Sequence, residues 1–150
     1  MDKPFDNLEN IRALSDKIGK VFNQNELLRG AINSSHEGIA ILDKDGKYIY
    51  LNTAHEKMFG YDPGELIGQK WEVLYKSPDI LFFHSNVFPM LEKNGKWSGK
   101  YRGYAKDGSP VYEELYLTAL PSGGLVCTCR IDICGTCDLK IDGQDKWKVW

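Results

Sequence analysis

Five segments of the chain alternate or cluster apolar residues as β-strands do, and a longer helical stretch separates the second segment from the third. The dipeptides Asp45-Gly46 and Asp107-Gly108 supply the positive φ that tight hairpin turns require. Consecutive strands joined by such turns pair antiparallel. The predicted strands are residues 38–42, 48–51, 97–105, 111–120 and 125–133. In the last of them, one face is expected to look into the core and comprises Leu125, Cys127, Cys129, Ile131 and Ile133.

Helix signals fill the interval between the second and third strands. Asn52 is placed to cap a short helix, and Asp62-Pro63-Gly64-Glu65 has the form of a second helix start. Ser77-Pro78 opens a further helix that ends at Asn94-Gly95, and Pro89 is expected to kink or break it because proline lacks a backbone N–H. This order predicts an α+β fold, a five-stranded antiparallel sheet with short helices on one face.

Residues 8–32 precede the first strand and have the period of an amphipathic helix. Asn25 occupies one position of a heptad seam whose other members are Ile11, Leu14, Ile18, Val21, Leu28 and Ile32. Because an asparagine in such a seam fixes register in two-stranded coiled coils, the helix is predicted to mediate homodimerisation. The alternative is that it covers its own sheet.

Charge and hydropathy exclude several kinds of partner. The 19 basic and 21 acidic residues give a formal net charge of -2, so no basic surplus is available for nucleic-acid binding. No run approaches the roughly 20 apolar residues that cross a bilayer, and the acidic N-terminal residues are unlike a secretory signal. We therefore expect a cytoplasmic protein with no nucleic-acid partner and no membrane span.

The order and spacing of several short motifs resemble the PAS domain of bacterial and archaeal sensor kinases over roughly residues 27–133. The motifs are Ile32 to Ile39, Asp45-Gly46 followed by Leu51-Asn52, Phe59-Gly60-Tyr61, Glu65 to Gly68, Lys106 to Ser109, and Arg130 to Ile133. The resemblance implies strand order 2-1-5-4-3, a ligand or a dry core held against the helices, and output through helices leaving the sheet. It divides the chain into an N-terminal helix (1–26), a PAS sensor domain (27–133) and a C-terminal tail (134–150).

A ligand in such a domain would lie between the sheet and the helices. Apolar walls are expected there, which favours a small apolar or aromatic ligand over a strongly charged one, and the candidate residues are Met58, Phe59, Trp71, Leu74, Leu81 and Phe82. His84 falls about where haem-binding members carry their axial histidine, although the Asp-x-Tyr that follows it in those members is Ser85-Asn86-Val87 here. The cofactor is left open between none, a small apolar or aromatic molecule, and haem.

The four cysteines form two pairs. Cys127 and Cys129 alternate along the last strand and are expected to be small core residues. Cys134 and Cys137 form a CxxC with a glycine inside it, which suits half of a zinc site or a redox pair. The stretch 133–147 also resembles the opening of a small CxxC module that follows sensor domains in some signalling proteins. Zinc at Cys134 and Cys137 would therefore use ligands from elsewhere.

Three functions remain open at this point. No phosphate-binding loop or nucleophile elbow is present, and the phosphoacceptor box of histidine kinases is absent, so we expect no enzyme. The favoured function is the sensory input domain of a two-component or related signal-transduction protein, which controls a downstream effector through flanking helices or dimerisation. The alternatives are a stand-alone metal or redox protein that uses the cysteines, and a protein-interaction PAS module without ligand.

Overall fold

The computed structural model describes residues 4–132, with side chains from residue 8 onward. Helix α1, Pro4–Ser34, forms one unit, and the residues from Ser35 form a second. The second unit begins with strands β1 (Gly38–Leu42) and β2 (Tyr48–Leu51) and helix α2 (Thr53–Phe59). It continues with a 3-10 helix (Trp71–Leu74), α3 (Ser77–Phe82), a π-helix (Phe83–Val87) and α4 (Phe88–Asn94). It closes with β3 (Lys96–Tyr104), β4 (Pro110–Ala119) and β5 (Leu125–Ile131).

The five strands form one antiparallel sheet in the order β2-β1-β5-β4-β3, which confirms the predicted topology. The last strand lies at the centre, between β1 and β4. Its inward residues pair across both neighbours, so that Cys127 lies between Ala40 and Leu117. The middle of the sheet is thus built from residues that are distant in sequence.

The turn between β1 and β2 is fixed by Asp43 and Gly46. The Asp43 carboxylate accepts hydrogen bonds from the backbone N–H groups of Asp45 (2.9 Å) and Lys47 (3.0 Å). Gly46 has a φ of +79°, and a Cβ there would lie 2.9 Å from Cδ1 of Trp71. Glycine is therefore required twice over, for the backbone conformation and for the close approach of the indole ring.

The segment after α2 corrects one prediction. Glu65 does accept the backbone N–H of Asp62 (2.9 Å), as a capping box would, but residues 62–68 form successive turns and no helix. Gly64 and Gly68 both have positive φ, at +77° and +83°, and two such residues interrupt a right-handed helix. The predicted helix start is therefore wrong at this position.

Pro89 interrupts the next helical stretch, as predicted. The backbone N–H of Phe88 donates to the carbonyl of Phe83, five residues earlier, and the chain forms a π-helix before resuming as α4. Proline has no N–H to continue the regular pattern. The inward side of this stretch is formed by Phe83, Val87 and Leu91, all of which are buried.

The core lies between the inner face of the sheet and the helices that follow β2. Leu115 and Leu117 of β4 face it, together with Leu125 and Cys129 of β5. Ile131, which shares their face by alternation, is 56% exposed, so its prediction as a core residue is wrong. It is the last residue of its strand, and alternation alone does not bury a strand end. Ile133 lies outside the described residues.

Candidate functional site

A cavity of about 30 Å³ lies between the inner face of the sheet and the helical segment. Aromatic rings form one side of it and aliphatic side chains of the sheet form much of the other. Its lining residues are Leu42, Tyr48, Trp71, Tyr75, Phe83, Phe88, Leu115, Leu117, Leu125 and Cys127. Few of the atoms that line the cavity are polar, so the space suits an apolar group or a few small atoms.

Trp71 is the centre of the aromatic side. Its ring centroid lies 5.2 Å from that of Phe83, 5.3 Å from that of Phe88 and 5.7 Å from that of Tyr75. The backbone N–H of Trp71 donates to the carbonyl of Gly46 (3.0 Å), so the hairpin between β1 and β2 holds the ring in place. The tilted and edge-on ring pairs are the arrangements that aromatic quadrupoles favour.

The predicted site residues are distributed between the cavity and the core around it. Trp71 lines the cavity. Phe59 and Leu74 are almost fully buried in the core, at 0% and 1% exposure. Met58 and Phe82 are half-buried and pack against that core. Of these five residues, Trp71 alone is among the lining residues of the described cavity.

Leu81 is 67% exposed, so its prediction as an apolar wall is wrong. The inward positions of the helical stretch are Ile80, Phe83 and Val87, and Leu81 is rotated by about 100° from Ile80 on the helix. Helical spacing therefore places Leu81 on the surface.

His84, the predicted axial ligand, is exposed on the π-helix, with its ring centroid 5.8 Å from Trp71. A haem macrocycle is many times larger than the 30 Å³ cavity. The residues present do not fit haem in this conformation of the protein.

Glu113 is a buried carboxyl that was not among the predicted site residues. It is 1% exposed on the inner face of β4, and the Tyr75 hydroxyl donates to its Oε1 at 2.7 Å. Burial raises the pKa of Glu113 to about 7, against the lowering effect of hydrogen bonds from Tyr75 and Cys129. The sequence does indicate this inward position, because Glu113 shares a strand face with Leu115 and Leu117 at spacings of two and four.

His55 is a second buried ionisable group, and its place on a short helix does not distinguish it in the sequence. It is 2% exposed on α2, its ring packs 4.9 Å from that of Phe59, and its Nδ1 has no hydrogen-bond partner among the described residues. Burial lowers the pKa of His55 to about 4. The imidazole is therefore neutral at physiological pH.

Asn52 confirms its predicted role as a helix cap and does more. Its side-chain oxygen accepts the backbone N–H groups of His55 (3.0 Å) and Ile39 (2.8 Å), and its amide donates to the carbonyl of Glu37 (2.9 Å). The residue is fully buried. One side chain thus joins the start of α2 to the start of β1 and fixes His55 at the first turn.

The cysteines on β5 are part of the core, as predicted. Cys129 is 1% exposed and its sulfur lies 3.7 Å from that of Met58, whereas Cys127 is half-buried and lines the cavity. A hydrogen bond with Cys127 and burial both raise the pKa of the Cys129 thiol. Cys134 and Cys137 lie outside the described residues. Within residues 4–132, no three His, Cys, Asp or Glu side chains are grouped to hold a metal ion.

A family model described as a PAS domain matches residues 36–131, and the chain belongs to this family. A bacteriophytochrome from Xanthomonas campestris pv. campestris (strain 8004) is 29% identical over 102 residues, which are 64% of this chain and 16% of the relative. The chain thus spans a small part of that protein.

Solved structures show the same fold. The PAS domain of a protein from Colwellia psychrerythraea has a TM-score of 0.66 and 25% identity, over 75% of this chain and 97% of that one. A domain of a sensory box sensor histidine kinase/response regulator from Geobacter sulfurreducens has a TM-score of 0.62 and 22% identity, over 73% and 96%.

The family and the fold define the chain as a sensory PAS domain, a regulatory fold and not a catalytic one. The bacteriophytochrome is similar to this chain in sequence, and the domain of the sensory box sensor histidine kinase/response regulator is similar to it in fold. No helix in the described part of the chain combines the length and apolar character of a membrane span.

Proposed function

We propose that this chain is a cytoplasmic sensory input domain that binds a small, mainly apolar ligand beneath the π-helix and reports its occupancy to an effector. The observation that supports this most is the cavity of about 30 Å³, which lies where the aromatic cluster meets the centre of the sheet. Its walls combine Trp71, Phe83 and Phe88 with the sheet residues Leu117 and Cys127. A molecule there would touch both layers of the domain.

The π-helix provides a means of enlarging this space. A cavity of 30 Å³ holds roughly two water-sized groups, so a larger ligand requires an aromatic wall to move. Phe88 is half-buried and follows the π-helix directly, and single-turn π-helices within a helical stretch are frequent at functional sites. Displacement of the Phe88 ring, which lines the cavity, would enlarge it.

Dimerisation through α1 is the proposed route of output. The seam residues Ile11, Leu14 and Ile18 are 58–62% exposed, although each is large and apolar. Their heptad spacing, with Asn25 in the same seam, suits a parallel two-stranded coiled coil with a second copy. A conformational change in the sensor domain would then reach an effector as a change in how the two α1 helices pair.

The proposed dimer can be tested by placing a charged residue at one position of the seam. Ile18→Glu would place two carboxylates in the seam and should convert dimers to monomers in analytical ultracentrifugation. Lys17→Glu, at a neighbouring position outside the seam, is the matched control and should remain dimeric. A monomeric wild-type protein would refute this output route.

A second candidate function is a protein-interaction PAS module whose core is filled by its own side chains. The small volume of the cavity favours this hypothesis. The stand-alone metal or redox protein depends on Cys134 and Cys137, which lie outside the described residues.

Xenon under pressure distinguishes a ligand site from a filled core, because xenon occupies apolar cavities without needing a specific polar contact. The indole N–H resonance of Trp71 should shift on xenon binding in the wild-type protein. Cys127→Phe fills the cavity and should abolish the shift, whereas Thr128→Phe, on the other face of the same strand, should retain it. A shift that survives in Cys127→Phe would place xenon elsewhere, and no shift in wild type would favour the interaction module.

A further inference from the structure

Glu113 is a buried carboxyl without a counter-charge in the described residues. The salt bridges of residues 4–132 involve Lys100, Lys106 and Arg130, and none of these reaches Glu113. Its hydrogen-bond donors are the neutral groups of Tyr75 and Cys129. Taking a carboxylate out of water is costly unless a cation accompanies it, so this residue calls for an explanation beyond packing.

Among the described residues, the titratable groups beside this carboxyl are tyrosines and a cysteine, which carry no positive charge. They come from three strands and from the residue after the 3-10 helix, and they are Tyr48 of β2, Cys129 of β5, Tyr101 of β3 and Tyr75. The neighbouring residue of β3 is Gly103, where a Cβ would lie 3.5 Å from Oε1 of Glu113. Glycine therefore leaves the carboxyl its space on that side without providing a charge.

The carboxyl and the cavity share one side chain. Tyr75 lines the cavity, and its hydroxyl donates to Glu113 at 2.7 Å. Four further rings line the same space, and they are Tyr48, Trp71, Phe83 and Phe88. Faces of aromatic rings attract cations, and rings assembled around a small space are the recognised way to bind an organic ammonium group.

We propose that the cavity takes a compact organic cation, an ammonium compound with a short apolar body, held by the aromatic rings and by the Tyr75–Glu113 pair. This inference rests on the proposed function, since it names the chemical class of the ligand for the same site. The carboxylate that would supply the counter-charge for such a ligand is Glu113, and it comes from the sheet. The Tyr75 oxygen, with its proton directed to Glu113, keeps lone pairs that can accept a hydrogen bond from the ammonium.

The cavity limits the size of the probe. About 30 Å³ has room for roughly two water-sized groups, which corresponds to a ligand of a few non-hydrogen atoms. So small a molecule binds with a dissociation constant that is roughly millimolar at best. NMR titration measures affinities in this range and localises the site through the Trp71 indole resonance.

Ethylammonium and ethanol are suitable probes, because they are matched in size and differ in charge. We expect ethylammonium to bind the wild-type protein about ten-fold more tightly than ethanol. Glu113→Gln should reduce this preference to less than about two-fold. Glu114→Gln, on the outer face of the same strand and paired with Arg130, is the control and should keep the full preference.

The wild-type protein alone provides a second test, which does not depend on the folding of a variant. Because Glu113 titrates near pH 7, its ionised fraction falls about ten-fold between pH 8 and pH 6, and ethylammonium affinity should fall with it. Ethanol affinity should change little over the same range.

The outcomes distinguish a failure of the cation assignment alone from a failure of the ligand site itself. Equal binding of ethylammonium and ethanol, or a preference that Glu113→Gln leaves unchanged, would overturn the cation assignment and leave the proposed ligand site standing. If neither probe shifts the Trp71 resonance, the cation assignment fails and the ligand site loses its support as well.

Discussion

Replacing Glu113 with glutamine should change how the stability of the fold depends on pH. The folded carboxyl keeps its proton up to a pKa of about 7, whereas an exposed glutamate ionises near pH 4.5. Between these values the folded protein binds one proton more than the unfolded chain, so stability falls as pH rises. The stabilisation is full below about pH 4.5 and is lost above about pH 7.

The magnitude follows from the distance between the two pKa values. Each pH unit between them corresponds to about 1.4 kcal/mol, so the wild-type protein should lose about 3 kcal/mol from this group over the range. Glutamine has the same shape and does not ionise. The stability of Glu113→Gln relative to wild type should therefore increase by about 3 kcal/mol between about pH 4.5 and pH 7.5.

His55 makes stability depend on pH in the opposite direction. The effects of Glu113 and His55 therefore partly cancel in the wild-type protein. The folded pKa of His55 is about 4 against an ordinary value of 6.5, so stability is full above about pH 6.5 and is lost as pH falls towards 4. In the interval where both titrate, the two slopes cancel. The free energy of unfolding of the wild-type protein should therefore change little between about pH 4.5 and pH 6.5. In Glu113→Gln it should rise with pH over this range, because the effect of His55 is no longer cancelled.

Urea denaturation followed by tryptophan fluorescence at about pH 4.5, 6 and 7.5 gives these free energies of unfolding. Glu114→Gln, at the outward position next to Glu113, should reproduce the wild-type profile. A difference between Glu113→Gln and wild type that is constant with pH would show that the buried carboxyl does not titrate as described.

Four further tests concern packing and burial in the described residues. Asn52→Ala removes three hydrogen bonds made by a buried side chain and should lower the free energy of unfolding by about 3 kcal/mol. A loss below about 1 kcal/mol would contradict the role given to this side chain. At Gly124 a Cβ would overlap the carbonyl oxygen of Leu42. Gly124→Ala should therefore lower the free energy of unfolding, measured by thermal melting, by more than about 3 kcal/mol. Gly19→Ala, in α1 with open space around it, should instead stabilise by up to about 1 kcal/mol. Cys129, buried and with a raised pKa, should resist iodoacetamide until urea unfolds the protein, and rapid labelling of the folded protein would refute its burial.

The elements that local sequence determines were predictable. β1 and β2 have the predicted bounds, because the turn between them is specified by Asp43, Gly46 and their immediate neighbours. Pro89 disrupts the helix at the predicted place, since the missing N–H is a property of the residue itself. The resemblance then provided the strand order, which places β5 at the centre and which no local pattern specifies.

The cavity was less predictable, because it depends on which side chains the tertiary structure brings together. Leu81 and Phe82 are adjacent and both apolar, yet the packing of the helix turns one outward and half-buries the other. Glu113 is buried against the usual preference of a carboxyl because Tyr75, 38 residues earlier in the chain, donates a hydrogen bond to it. Such long-range partners cannot be read from helix or strand periodicity.

Native mass spectrometry of gently purified protein tests the sensory account most directly. We expect wild type to retain, or to bind when supplied, a small organic molecule that raises the melting temperature, and we expect Cys127→Phe to lose this binding because its ring fills the cavity. If wild type carries no molecule, and no compound in a library of small amines, alcohols and hydrocarbons raises its melting temperature, the ligand-sensing account is contradicted.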